Sequence, residues 1–430
     1  MPFESLRLVS AACARAARAP ALLLVAALLL LAACARGPVA GSTSPARPAP
    51  LLLISIDGFH PDYLQLPEAA TLRRLASEGS RAAWMQPSYP SLTFPNHYTL
   101  VTGLHPDRHG IINNSMQDPQ LGQFAMHLRD AVKDGRWWGG EPIWVSAQRQ
   151  GLRAATLFWP GSEAEIQGIR PYDWLPYSSD LQQNARINTV LQWLQRPERT
   201  RPDFLTLYFE RVDSIGHTYG PDSPQLRRAV AHVDRSLQKL VAGLEAAGMS
   251  DRINLLIVSD HGMSALDQSQ PIVLDDLLDP RSFALTAYGA MAGIEPRRGR
   301  AAEVEAALLK PHPRMRCYRR DQLPAEWQFG QHPRVPSITC QAEPPYAIAT
   351  RRLLSMPGAR VKRGGHGYDP ALPSMRSIFI GHGPAFIAGS TIDPVRAVDV
   401  YALMCRLLGI SPAEHQGDAH AFDAGLRSGR

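Results

Sequence analysis

Five short apolar runs constrain this chain more than any other feature: Leu51 to Ile56, Ala154 to Trp159, Phe204 to Phe209, Ile253 to Ser259 and Ser377 to Ile380. A run of this length without polar alternation has no solvent face, so it reads as a strand covered on both sides. Between the runs lie segments with apolar residues at helical spacing. These are Glu68 to Glu78, Leu181 to Gln195, and Pro224 to Ala247, where Leu226, Val230, Val233, Leu237, Leu240 and Leu244 form one stripe. Strands alternating with helices predict an α/β fold, a mostly parallel sheet with helices on both faces. Ligands of such sheets sit beyond the carboxyl ends of the strands, so the residues just after each run are the first candidates for chemistry.

The amino terminus obeys a different pattern. Arg7, Arg15 and Arg18 precede the apolar stretch Ala19 to Ala33, which is too short and alanine-rich for a membrane span and reads as a secretory signal over residues 1–33. It ends Leu31-Ala32-Ala33-Cys34, which resembles the bacterial lipoprotein processing box, with Cys34 as the lipidated residue; an ordinary small-residue cleavage site is the alternative. Ala35 after the cysteine points to an outer-membrane lipoprotein facing the periplasm. Residues 34–50, rich in Gly, Ser, Ala and Pro, read as a tether, and ordered structure is expected from Leu51. From about Ser264 to Arg360 the pattern is less regular and reads as an insertion or cap.

The whole chain of 430 residues is 45% hydrophobic and 20% charged, which excludes disorder, collagen and coiled coil as its dominant state. Its net charge is +6, and loss of the signal removes three arginines and Glu4. So small an excess does not support wrapping by nucleic acid, and no stable nucleic-acid complex is expected. The arginines at 297, 298, 300, 314, 316, 319 and 320 read as a solvated basic face. In an oxidising compartment Cys317 and Cys340 are candidates for a disulfide, and Cys405 falls in an apolar helical pattern as a buried thiol.

Each of three strand ends carries a carboxylate. Asp57 follows the first run, Asp213 and His217 follow the third, and Asp260-His261 follows the fourth, while His366 lies in a Gly-rich loop before the last. One such residue alone reads as a turn or cap. Together they form a nitrogen and oxygen donor set suited to zinc, and six groups suffice for two ions.

The most distinctive segment is Pro87-Ser88-Tyr89-Pro90-Ser91-Leu92-Thr93-Phe94-Pro95-Asn96-His97-Tyr98, continuing to His105-Pro106-Asp107-Arg108-His109-Gly110. It resembles the nucleophile segment of the nucleotide pyrophosphatase/phosphodiesterase family of the alkaline phosphatase superfamily. The order Asp57, Thr93, Asp213 with His217, Asp260-His261, His366 looks like that family's metal set, and the resemblance runs from Leu51 to the carboxyl terminus. It implies an alkaline-phosphatase-like three-layer sandwich with Thr93 as nucleophile. One zinc would take Asp57, Asp260, His261 and Thr93, the other Asp213, His217 and His366. Asn114 would donate to a phosphoryl oxygen, with Asn113 its easily mistaken neighbour. Backbone N–H groups near Thr93 are expected to face the phosphoryl group, as Pro95 suits a first helical turn. His97, His105 and His109 read as structural hydrogen-bonding residues, and His60 and His332 as solvent-exposed.

With no Arg beside Thr93, a monoester dianion would lack its charge partner, so a diester is the expected substrate. By resemblance Phe94, Tyr208 and Tyr177 would stack a nucleotide base, with core packing as the alternative for each. The implied activity is hydrolysis of nucleotide phosphodiester and pyrophosphate bonds to nucleoside 5′-monophosphates. The alternative is a choline or lysophospholipid phosphodiesterase on the same metals, with Glu163, Glu165 and Trp137-Trp138 supplying a cation cage.

Overall fold

The computed structural model describes residues 47–267, 269–356 and 362–428. Cys34, the expected signal and most of the expected tether lie outside the described residues. Along the chain, strands β1 (Leu51–Ile56), β2 (Ser80–Ala82), β3 (Ala154–Leu157), β4 (Asp173–Leu175), β5 (Phe204–Phe209) and β6 (Asn254–Val258) come first. Strands β7 (Phe283–Ala287), β8 (Met291–Pro296), β9 (Met315–Arg319) and β10 (Ile338–Ala342) then form a separate antiparallel sheet, in the order β7-β8-β10-β9. Strands β11 (Phe379–His382) and β12 (Ser390–Ile392) return to complete the first sheet. Its order is β12-β2-β11-β6-β1-β5-β3-β4, and only β11 runs against the rest.

Strand β1 has no polar face, and its two sides face different cores. Leu51 and Leu53 pack with Tyr98, Leu100 and Val101 of α2 (Thr93–Thr102) and with Val400 and Leu403 of the helix Asp399–Leu408. Leu52, Ile54 and Ile56 pack instead with Leu72 and Leu75 of α1 (Ala70–Glu78) and with Leu226, Val230 and Val233 of the helix Pro224–Ala246. All five strand residues are completely buried, each contributing about 1.5–3 kcal/mol over exposure. Helices therefore cover both faces of the sheet, which makes the three layers.

Two details of this frame set the site. The strand β1 lies between β5 and β6, with Ile56 opposite Phe209 and Ser55 opposite Val258, so the three chains leave the sheet side by side. Helix α2 starts at Thr93 and stops at Gly103, whose φ of 66° is left-handed and favours glycine. The interval expected to be irregular contains β7 to β10, a third core that includes Phe283, Ile294, Val304 and Ile338, and the Cys317–Cys340 disulfide. These strands are short and carry polar residues among the apolar ones, so they give no continuous run.

Candidate active site

Asp57 directly follows β1, and Ser259, Asp260 and His261 directly follow β6. After β5 the chain turns at once into the helix Arg211–Tyr219, which puts Asp213 and His217 on one helical face at a spacing of four residues. The loop carrying His366 is held by two short pairings, Ser264 with Gly365 and Ala265 with Gly364. All six expected ligands therefore meet at the carboxyl edge of β1, β5 and β6, beside the first residue of α2.

Their ring nitrogens show what the cluster is built for. His217 Nδ1 lies 2.8 Å from Gly364 O, His366 Nδ1 2.9 Å from Ser91 O, and His261 Nδ1 2.8 Å from Gly262 O. A carbonyl only accepts, so in each case Nδ1 carries a proton and Nε2, the lone-pair nitrogen of the neutral ring, is turned into the cluster. His217 Nε2 and His366 Nε2 are 3.1 Å apart, and each is 3.4 Å from Asp213 Oδ1. His261 Nε2 lies 2.9 Å from Asp260 Oδ2, 3.5 Å from Asp57 Oδ1 and 3.4 Å from Thr93 Oγ1. Lone pairs facing lone pairs and carboxylate oxygens repel unless a cation lies among them. Asp57 Oδ1, Asp213 Oδ1 and Asp260 Oδ2 are, moreover, buried without a hydrogen bond, a costly state that a metal ion relieves.

The protonation equilibria follow the same crowding. Burial, then the carboxylates of Asp260 and Asp213, push Asp57 well above the ordinary carboxylate range. Burial, then His261 and His217, hold the His366 imidazole well below its ordinary value, so it stays neutral. The direction at Asp57 describes carboxylates crowded together without a cation between them. The groups Asp213, His217, His366 and Asp57, Asp213, His261 are each compact enough to hold one ion. A third compact group is Asp57, His97 and Asp260, but both ring nitrogens of His97 are engaged, Nδ1 with Thr93 O at 2.9 Å and Nε2 with Ser55 Oγ at 2.8 Å. His261 is thus the better ligand beside Asp57 and Asp260.

The neighbours of Thr93 depart from expectation in one respect. The Phe94 N–H does not face the site freely but donates to Asn114 Oδ1 at 2.9 Å. The side chain of Asn114 thus caps the helix start through its Oδ1. Asn113 is buried, with Oδ1 accepting from Ser115 N–H and Nδ2 set against Met291 Sδ, so the two asparagines are clearly distinguished.

Phe94 is partly exposed and meets Phe124 and Trp138. Tyr208 is half-buried; its hydroxyl donates to Asp57 Oδ2 at 2.6 Å, and burial, then the Asp57 charge, push the phenol well up so that it remains a donor. Tyr177 is 43% exposed, with its ring 6.2 Å from that of Tyr208 and 5.5 Å from Phe158. Of the residues suggested for a choline cage, Glu165 is exposed and the other three are otherwise engaged. Trp137 and Trp138 are buried in the core, and Glu163 pairs with Arg129 while accepting from Tyr177 N–H.

His109 bonds Thr99 Oγ1 and the Ile111 N–H, and His105 bonds Ser88 Oγ. His60 and His332, expected at the surface, are half-buried instead, and each accepts a backbone N–H two residues on within its own turn. Two features escaped the sequence reading. Ser55 is the one polar residue within the β1 run, and an inward polar residue in a doubly covered strand is itself a signal. The buried Arg186 clamps Glu210 through two hydrogen bonds at the start of the Asp213 helix, at 2.5 and 3.0 Å, and spacing alone gives no sign of it.

A profile of the type I phosphodiesterase / nucleotide pyrophosphatase family matches residues 51–369, more than half of the chain. The chain belongs to this family. Ectonucleotide pyrophosphatase/phosphodiesterase family member 1 from Mus musculus is 36% identical over 385 residues, covering 86% of this chain and 42% of its own length. Venom phosphodiesterase from Naja atra is 34% identical over 381 residues, covering 86% and 45%. The chain thus spans less than half of these two relatives. Human family member 7 is 35% identical over 415 residues, covering 93% of this chain and 88% of its own. Among solved structures, murine ectonucleotide pyrophosphatase/phosphodiesterase 5, an inactive threonine-to-alanine variant in complex with AMP, superimposes with a TM-score of 0.83 at 31% identity, over 88% of this chain and all of that one. This phosphodiesterase-family chain therefore has the alkaline-phosphatase-like three-layer fold.

Proposed function

We propose that the protein is an exported two-zinc phosphodiesterase and nucleotide pyrophosphatase that releases nucleoside 5′-monophosphates through a phosphothreonine intermediate at Thr93. The observation that carries this reading is the convergence of three imidazole Nε2 atoms and three unbonded carboxylate oxygens beside the Thr93 hydroxyl. Asp57, Asp260, His261 and Thr93 would hold one ion, and Asp213, His217 and His366 the other. When bound, the ions supply Lewis acidity that favours the Thr93 alkoxide and neutralises charge at phosphorus. Thr93 Oγ1 attacks phosphorus, forming the Oγ–P bond as the bond to the leaving oxygen breaks. Water then attacks the same phosphorus on the opposite side of Oγ, and the nucleoside 5′-monophosphate departs. Asn114 Nδ2 donates to a phosphoryl oxygen, and Phe94, Tyr208 and Tyr177 offer faces for a base.

The similarity to a structure described as an inactive threonine-to-alanine variant with AMP supports both the nucleophile and a nucleotide ligand. The choline or lysophospholipid alternative keeps only the exposed Glu165 of its suggested cage free, since Trp137 and Trp138 are buried and Glu163 pairs with Arg129. The test compares hydrolysis of the 4-nitrophenyl ester of thymidine 5′-monophosphate with 4-nitrophenyl phosphate and 4-nitrophenyl phosphorylcholine, using residues 35–430 and zinc. The nucleotide diester should be cleaved fastest. Preference for the choline ester would overturn the nucleotide assignment while sparing the metals.

The same reading places the mature protein in the periplasm, anchored to the outer membrane through lipid on Cys34. The Cys317–Cys340 disulfide fits an oxidising compartment. No helix among the described residues is long and apolar enough to cross a membrane. Cys34→Ala should abolish incorporation of labelled palmitate; labelling that persists in the variant would refute the anchor.

A further inference from the structure

His97 is wholly buried in the distinctive motif, yet the proposed reaction gives it no task. Its Nδ1 faces two acceptors, Thr93 O at 2.9 Å and Asp260 Oδ2 at 3.4 Å. Nδ1 therefore bears the ring proton, and Nε2 accepts from Ser55 Oγ at 2.8 Å. Ser55 belongs to β1, two residues before Asp57. The ring edge meets the ring of Tyr208 at 5.3 Å, and the Tyr208 hydroxyl bonds Asp57. On the backbone side, Trp159 Nε1 donates to His97 O at 3.1 Å. One imidazole thus touches the backbone of the nucleophile, the carboxylate of Asp260 and the strand that delivers Asp57. With its nitrogens filled it has no lone pair to offer a cation, although it lies close enough to Asp57 and Asp260 to be one of a ligand group.

We propose that His97 is a positioning residue: in the tautomer that the Thr93 carbonyl requires, with Ser55 Oγ donating to Nε2, its Nδ1–H holds the start of α2, and with it Thr93 Oγ1, in register with Asp260. The inference rests on Thr93 being the nucleophile. A hydroxyl displaced by about 1 Å from its line of attack loses on the order of a hundredfold in rate, and a residue that fixes this line should act on kcat and leave KM nearly unchanged.

The test uses the amide isosteres of the two ring nitrogens. The side-chain nitrogen of Asn falls near Nδ1 and that of Gln near Nε2, so His97→Asn keeps the donor to Thr93 O and His97→Gln loses it. With the nucleotide diester as substrate, His97→Gln should lower kcat about a hundredfold and His97→Asn no more than about tenfold, with KM little changed in both. Equal rates for the two variants, or an effect confined to KM, would overturn the proposal. Thr93→Ala, run alongside, separates the premises: if it retains wild-type turnover, the nucleophile assignment itself has failed. Should neither His97 variant fold, as judged by thermal melting, Ser55→Ala decides. A folded Ser55→Ala enzyme should lose about tenfold in kcat, and one at the wild-type rate would refute the role of His97.

Discussion

Thr93 begins a helix, and the backbone groups at that start have side-chain partners fixed by tertiary packing. Asn114 takes the next N–H, and His97 takes its carbonyl. The residue types of the site are legible in the sequence because Asp and His recur where strands must end. Their division of labour is not, since His97 is held at Nε2 by Ser55, 42 positions away. The same holds for Tyr208, which sequence presents as a stacking face and the fold also ties to Asp57. Burial has a further cost a short distance from the site. His105 is held down to about 4, first by burial and then by Arg396, and it bonds Ser88 Oγ. In the unfolded chain it would take a proton near pH 6.5, so below that pH the unfolded state binds the proton that the folded state refuses. This contribution to stability is complete above about pH 6.5 and is lost as pH falls towards 4, by on the order of 3 kcal/mol at pH 4. Urea unfolding of the wild type and His105→Gln at pH 7 and pH 4.5 checks it. The wild type should lose more stability than the variant on acidification, and equal losses would contradict it.

Among the elements, those buried on both faces are the ones a sequence announces. The strands β1, β5 and β6 coincide closely with continuous apolar runs, and the run at Ser377 to Ile380 shifts only to Phe379–His382. That strand nevertheless runs antiparallel to its neighbours, a direction that residue pattern does not encode. The strands β7 to β10 are short, and β9, Met-Arg-Cys-Tyr-Arg, has one buried residue in five, too little for a hydrophobic signature. Their integrity draws on the bond between the facing residues Cys317 and Cys340, 23 positions apart. Loop-closure entropy for this separation is worth about 3 kcal/mol. The double variant Cys317→Ser, Cys340→Ser should therefore melt several degrees lower, with hydrogen exchange accelerated first in β9 and β10. An unchanged melting temperature would show that the third core holds without the crosslink.

For the molecule as a whole, the fold brings acidic groups together at one edge and leaves their charge uncompensated. Asp57, Asp213 and Asp260 each bring a buried, unbonded oxygen to that edge, so removing a bound metal should destabilise it. Chelation should abolish hydrolysis and also lower the melting temperature, and added zinc should restore both. A chelated protein with unchanged melting temperature and full activity would refute the metal centre. The central claim, that phosphorus passes through Thr93, makes a stereochemical demand independent of how much intermediate accumulates. Two successive in-line displacements invert phosphorus twice. Hydrolysis of one diastereomer of the 4-nitrophenyl ester of thymidine 5′-phosphorothioate in oxygen-18 water should therefore give thymidine 5′-phosphorothioate with net retention of configuration. Net inversion would mean that water attacks directly, and the covalent role of Thr93 would be wrong.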